Sequence, residues 1–455
     1  MLLAVGVLVL SVLCLAALAA GGLVLLQNRV TQVAIPIEEP AGQAAEMATP
    51  PEATVAGTGV RQAAGVNRIV FVDPDGRLGT VAPDGSHLRL VSGEGAEYQF
   101  PAWSPDGSRI AAVGNDGEQG LLAVLPDQES APVVDVYQSA GRSPFYLYWS
   151  PDGRRVSFLA NNPGGIALHL VPADGSAGSR LLATGQPFYW DWGQEADQML
   201  IHTGGAGEGA RLAVIDTQGA IVSDDLAAPG LFQAPGISTS GRYIAYAEAG
   251  DELKVVVADD GGERVAEVAH RGLAAMTWSP AADQLAFTSP ERAQLSFIGP
   301  LRLLDAESSE VRTLVPDPVI TFFWSPDGRT IAYLTRETSS GGPQASRPPG
   351  LARAAPVSTT FQDQDRLVLR LWVVDVTSGE QRLLASFQPT PIFITQFIPY
   401  FDQYALSHRL WSPASDALVL PKLDGNGRQG IYVIPIDGGQ QQRVADGSMA
   451  FWSPR

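Results

Sequence analysis

From residue 66 onward the apolar positions fall in short runs, separated by clusters of Gly, Pro, Asp and Ser. Runs of about four to eight apolar or alternating residues bounded by such clusters predict β-strands. No segment shows a helical period of useful length, so the reading is all-β. Residues 99–137 are typical: "QFPAWSP", "SRIAAVG", "GLLAVLP" and "APVVDVY" predict four consecutive strands.

The four-strand pattern recurs. Trp-Ser-Pro stands at Trp103, Trp149, Trp278, Trp324, Trp411 and Trp452, with degenerate copies around Trp192 and Ile237. A period of about 40–45 residues marks repeated units stacked or set in a ring. The longest interval holds a Gly/Ser/Pro-rich insertion within residues 337–362. In the Ser-Pro-Asp-Gly turn, proline fixes φ at the first corner, Asp caps through its side chain, and Gly takes the left-handed position. The tryptophan closing each first strand is expected to wedge between neighbouring sheets. Four antiparallel strands repeated radially make a β-propeller, and eight first strands make eight blades. Residues 67–92 supply a second, third and fourth strand without a first, while "SMAFWSP" supplies a first strand alone. Together they predict one blade shared between the two ends of the ring, which leaves no open edge.

The phrase Trp-Ser-Pro-Asp-Gly followed by an Ile-Ala-type strand resembles the TolB-type propeller repeat over residues 67–455. The same repeat class is similar to the propellers of prolyl-oligopeptidase and dipeptidyl-peptidase enzymes. The resemblance implies the fold and is nearly silent on function. TolB carries an α/β domain before a six-bladed ring, so its envelope partners are not carried over to this chain. The peptidases set an α/β-hydrolase domain beside the propeller, and no Gly-x-Ser-x-Gly elbow occurs here.

The first residues break the β pattern. Residues 1–28 form an almost uninterrupted apolar run, long enough to cross a bilayer, and are expected to be a transmembrane anchor or signal segment. Residues 29–65, mostly Ala, Pro, Glu and Thr, are expected to be a flexible tether, with the propeller at 66–455. Span, tether and a repeat resembling exported propellers predict a single-pass protein of the cell membrane with its ring outside the cytoplasm. Arg29, just after the span, points mildly the other way. The net charge of −18 argues against a nucleic-acid partner, since phosphate binding needs a basic surface. The single cysteine, Cys14, excludes an intrachain disulfide.

Chemistry is sparse. None of the five histidines stands at metal-ligand spacing with another His or a Cys, so no metal and no cofactor is expected. His169 and His202 are expected to be strand residues. "TGGAGEGA" at 203–210 joins two strands and is read as a hairpin loop, and "DGNG" at 424–427 as a turn rather than a calcium loop. Alternating strands place the tight Asp-Gly turns on one face and both large irregularities on the other: the 337–362 insertion and the aromatic stretch "PTPIFITQFIPYFDQYALSHRLW" before Trp411. Elaborated loops on a regular scaffold suggest a surface for a protein, peptide or small-molecule partner. One reading has the aromatics filling gaps between blades. The other is an axial pocket with Tyr146, Tyr148, Trp190, Asp191, Tyr404, His408 and Arg409 at its mouth. The function expected is a non-catalytic binding module. The alternative is a hydrolase or lyase of sugars or peptides using Asp191, His408 and Arg409 at the axis.

Overall fold

The computed structural model describes residues 66–455 except 130, 206–208, 225, 231–232 and 338–366. The anchor, the tether and nearly all of the 337–362 insertion lie outside the described residues. Among the described residues no helix is long and apolar enough to cross a membrane.

Eight antiparallel sheets make the eight blades. Blade 1 is Glu97–Trp103, Arg109–Asn115, Gly120–Pro126 and Val134–Ser139, the four strands read from the sequence. The inner strands of blades 2 to 6 are Pro144–Trp149, Phe188–Trp192, Gly236–Ile237, Ala275–Trp278 and Thr321–Trp324. Blade 7 departs from the rule. It has three regular strands, and Trp411 contributes only a single bridge to Leu418 in place of an inner strand.

Blade 8 joins the two ends. Met449–Trp452 pairs antiparallel with Ile69–Val72, Val72 opposite Met449 and Ile69 opposite Trp452. The two side chains and backbones interlock further: Ser453 N–H donates to the Arg68 carbonyl, and Arg68 N–H donates to Ser453 Oγ. A buried polar knot fastens this blade to blade 1. Arg68 Nε lies 2.8 Å from Asp127 Oδ2, and Thr80 Oγ1 donates to Asp127 Oδ1 at 2.6 Å. Burial lowers the Arg68 pKa, and the Asp127 charge works against that.

The turns follow the expected chemistry. Asp106 Oδ1 accepts from Ser104 Oγ and from Ser108 N–H, while Gly107 sits at φ 71°. Gly153 and Gly328 repeat the left-handed corner, and Ala196 and Ser415 occupy it in the turns after Trp192 and Trp411.

The tryptophans wedge between blades, and they also donate. Trp149 Nε1 reaches the Ala102 carbonyl, Trp324 Nε1 that of Thr277, and Trp411 Nε1 that of Phe323. In each case the acceptor is the residue just before the tryptophan position of the preceding blade. At these three junctions the indole ties adjacent sheets together as well as filling the gap, while Trp103 and Trp278 Nε1 are buried without a hydrogen-bond partner. Arginine adds a second tie. Arg109 stacks 5.1 Å from the Trp149 ring and donates to the Gly153 carbonyl, and Arg155 does the same with Trp192 and Ala196.

Candidate functional site

The sequence reading found no helix near the axis, and the structure places one there. Residues 391–407 are continuously helical, passing from a π-turn at Phe393–Phe397 through a 3-10 turn at Ile398–Tyr400 to an α-helix at Phe401–Ser407. Phe393, Phe397, Phe401 and Tyr404 are spaced for one helical face, and all four are buried. Pro399 falls in the first turn of its 3-10 segment, where a missing N–H costs little.

This helical segment is a plug. Phe401 packs on Phe297, Phe322 and Phe323, and Phe397 on Phe323, Tyr404 and Phe451. Tyr404 meets Phe100 at 4.8 Å and Tyr146 at 5.0 Å. Polar contacts complete the seal. Gln403 Nε2 donates to the Trp190 carbonyl, and its Oε1 accepts from Trp190 N–H. The Tyr146 hydroxyl donates to the Gln403 carbonyl, and Ala234 N–H donates to Asp402 Oδ2. One segment ahead of blade 7 therefore touches blades 1, 2, 3, 4, 5, 6 and 8. The plug sits where the inner strands begin, at the face opposite the Asp-Gly turns.

The seven candidate residues divide accordingly. Tyr146, Trp190, Tyr404 and His408 are buried in the plug contacts and line no open mouth. His408 Nε2 lies 3.1 Å from the Phe100 carbonyl, and Nδ1 lies 2.6 Å from Ser407 Oγ. A carbonyl can only accept, so Nε2 carries the proton and Nδ1 accepts from the serine. Burial holds this imidazole neutral, down to about 4.

Tyr148, Asp191 and Arg409 lie beyond the plug, towards the tight-turn face. Tyr148 is two residues further along the same inner strand as Tyr146. Its hydroxyl donates to Asp191 Oδ1 at 3.2 Å. Asp191 also accepts from Trp192 N–H and Ile237 N–H at 2.9 Å each, which ties blade 3 to blade 4. Burial nonetheless pushes the Asp191 carboxyl up to about 6. Arg409 is solvent-exposed, yet enough protein surrounds it to lower its pKa, with the neighbouring Tyr148 acting in the opposite sense.

Away from the axis, the two strand histidines and the turn at Asp424 are as expected from the sequence. His169 stacks on Phe158, and His202 lies within a strand. Asp424 accepts from Asn426 and Arg428 backbone N–H and from the Arg428 and Arg443 side chains, as a turn former does. Those hydrogen bonds and the Arg428 charge bring its carboxyl down to about 2. Among the described residues no group of three or more His, Cys, Asp or Glu could hold a metal. Two surface cavities lie away from the axis, one of about 320 Å³ between blades 7 and 8 and one of about 500 Å³ between blades 8 and 1. The second is lined by Asp75, Glu94, Glu97 and Asp116 but offers no unpaired buried polar group.

The buried groups set a pH dependence. Burial pushes Asp402 up to about 6, like Asp191. Each raised carboxyl favours folding fully below about 3.8 and loses that contribution as pH rises through about 6. His408 works the other way, as do His169, His202 and His270, whose pKa values burial also lowers: the His408 contribution is present above about 6.5 and is lost as pH falls towards 4. The Asp402 contribution is isolated by comparison with Asp402→Asn: the stability of the wild type relative to that variant should fall by about 1.4 kcal/mol for each pH unit between about 4 and 6. Melting temperatures of both proteins at pH 4.5, 5.2 and 6.0 check this, and a difference that moves in the wild type's favour over the series would contradict it.

No protein-family model matches the chain, and no curated protein matches it. Solved structures do. A dihydro-heme d1 dehydrogenase, NirN, in complex with DHE is 14% identical, with 88% of this chain and 78% of that one covered and a TM-score of 0.53. A eukaryotic initiation factor is 12% identical, with 86% and 99% covered and a TM-score of 0.50. TolB from Acinetobacter baumannii is 13% identical, with 86% and 67% covered and a TM-score of 0.40. Similarity at this level carries the architecture and leaves function to the residues of the site.

Proposed function

We propose that the protein is a non-catalytic binding module: a propeller tethered outside the cytoplasmic membrane that takes a ligand near its axis, on the tight-turn side of the plug. Residues 389–410 are core rather than a free loop, so a small ligand enters at the opposite face, among the Asp-Gly turns. One observation carries the reading. The ionisable groups that an axial enzyme would need are already spent on structure. Asp191 is saturated by three donors, and His408 is buried between Ser407 and the Phe100 carbonyl. What remains accessible at the axis is Tyr148 and Arg409, a recognition pair without a base or a nucleophile.

The test uses the full chain in detergent. It is exposed to the low-molecular-weight fraction of a cell extract and examined by native mass spectrometry. Wild type should retain an unaltered small molecule, and Tyr148→Trp, which enlarges the side chain on the tight-turn side of the plug, should lose it. Chemical conversion of the retained species that disappears in Asp191→Asn would replace this reading with the hydrolase or lyase. A reporter fused after Arg455 that works only outside the cytoplasm should be active, and activity of a cytoplasm-only reporter would overturn the location.

A further inference from the structure

We propose that the cavity between blades 7 and 8 is a receptor for a guanidinium group, filled by an arginine side chain of another polypeptide. The cavity lies away from the axis, so it is a second site, independent of the axial ligand proposed above.

The first argument is the repeat itself. In each blade one residue stands directly before the second-strand partner of the tryptophan position. It is Arg in blades 1, 2 and 8, Gln in blades 3 and 5, Tyr243 in blade 4, Thr330 in blade 6 and Ala417 in blade 7. Three of these side chains lie against the tryptophan of the next blade. The Arg109 guanidinium is 5.1 Å from the Trp149 ring centre and that of Arg155 is 5.9 Å from Trp192, while Tyr243 stacks on Trp278 at 6.4 Å. Ala417 is the smallest residue at this place and has no such reach. The cavity of about 320 Å³ is lined by both Ala417 and Trp452. It therefore stands where blades 1 and 2 set a guanidinium of their own.

The second argument is the indole. Trp149, Trp192, Trp324 and Trp411 each donate their N–H across the junction to the preceding blade. Trp452 donates instead to Asn67 Oδ1, in its own blade. The junction of blades 7 and 8 thus lacks both the crossing indole bond and the capping side chain. Trp452 is only 2% exposed, so it forms the back wall, and recognition rests on the groups at the rim.

The third argument is charge. Two exposed carboxylates, Asp416 and Asp437, line the same cavity. Asp416 Oδ1 accepts from Ser412 Oγ and Asp437 Oδ1 from Gly439 N–H. The second oxygen of each has no hydrogen-bond partner among the described residues. A guanidinium suits this rim better than an ammonium does, because its planar fork of donors serves carboxylate oxygens in pairs, whereas an ammonium is a compact point charge. The source follows from the ring: in blades 1 and 2 the group arrives on a polypeptide side chain, with an apolar stem that Ala417 and Val433 can cover here.

The experiment titrates the full chain in detergent, by calorimetry, with acetyl-Gly-Arg-Gly-amide, its citrulline and lysine counterparts, and free L-arginine. The arginine peptide should bind, the neutral citrulline peptide should not, and the lysine peptide and free arginine should be weaker. Asp437→Asn, which keeps an oxygen for Gly439 N–H, should weaken the arginine peptide about 2- to 5-fold, the worth of one exposed ion pair. Ala417→Arg restores the arginine of blades 1 and 2, and should raise the melting temperature and abolish peptide binding. Equal binding of the citrulline or lysine peptide, tighter binding of free arginine, unchanged affinity in Asp437→Asn, or no binding of the arginine peptide would each overturn the proposal. The axial ligand is read separately by mass spectrometry, so failure here leaves the binding-module reading standing.

Discussion

Deleting residues 447–455 is expected to leave a chain that cannot hold its native fold. The deletion removes Met449, Phe451 and Trp452, which are 0%, 1% and 2% exposed. At roughly 1.5–3 kcal/mol for each large apolar side chain, the loss is about 5–9 kcal/mol. Whole-domain stabilities run to about 5–15 kcal/mol, so the loss is of the same order as the total. The damage extends beyond area. Ile69–Val72 becomes an unpaired edge of four buried apolar residues, and Arg68 loses its bonds to Ser453. The purified truncation should be insoluble, or soluble without a cooperative melt. A melting curve like that of the full chain would refute the shared-blade closure.

The second large effect is expected at the plug. Phe397→Ala and Phe401→Ala each empty a site that is 0% exposed, and large-to-small changes of this kind cost about 3–5 kcal/mol. The two side chains share Phe323 as a neighbour, so their effects should not simply add. Either variant alone should lower the denaturation midpoint clearly. Tyr400→Ala, on the exposed side of the same segment, should stay within about 0.5 kcal/mol. If the phenylalanine variants match Tyr400→Ala in urea denaturation, the segment is an appended lid and not part of the core.

The ring was legible because its information is local. A Ser-Pro-Asp-Gly turn needs only its own four residues, so Asp106 and Gly107 could be assigned before any contact was known. The same holds for the pairing of the two chain ends, where an incomplete unit at each end implied its complement. The plug was harder to see. Phe393, Phe397 and Phe401 recur every fourth residue, which is a helical signal, but Pro391 and Pro399 stand among them and read as breaks. Pro399 is tolerated because it falls in a first turn. The candidate site was legible as an address and not as a geometry. Tyr146, Trp190, Tyr404 and His408 meet at the plug, and their being sealed depends on where residues 391–407 come to rest, a contact across seven other blades. Nothing in the spacing of Tyr146 and Tyr148 marks one as packing and the other as accessible. The alternation does so only once the plug covers the first.

The closing blade also sets a timetable. Arg68 and Ser453 are separated by 385 residues, and at about 5–20 residues per second the ribosome needs roughly 20–80 s to make that interval. Throughout this time the Ile-Val-Phe-Val strand has one edge without its partner, on a chain whose other blades are forming. Such an edge pairs readily with another chain. Synthesis of this protein therefore carries a waiting period, and whatever holds the nascent strand apart from its neighbours during it governs the yield of closed rings.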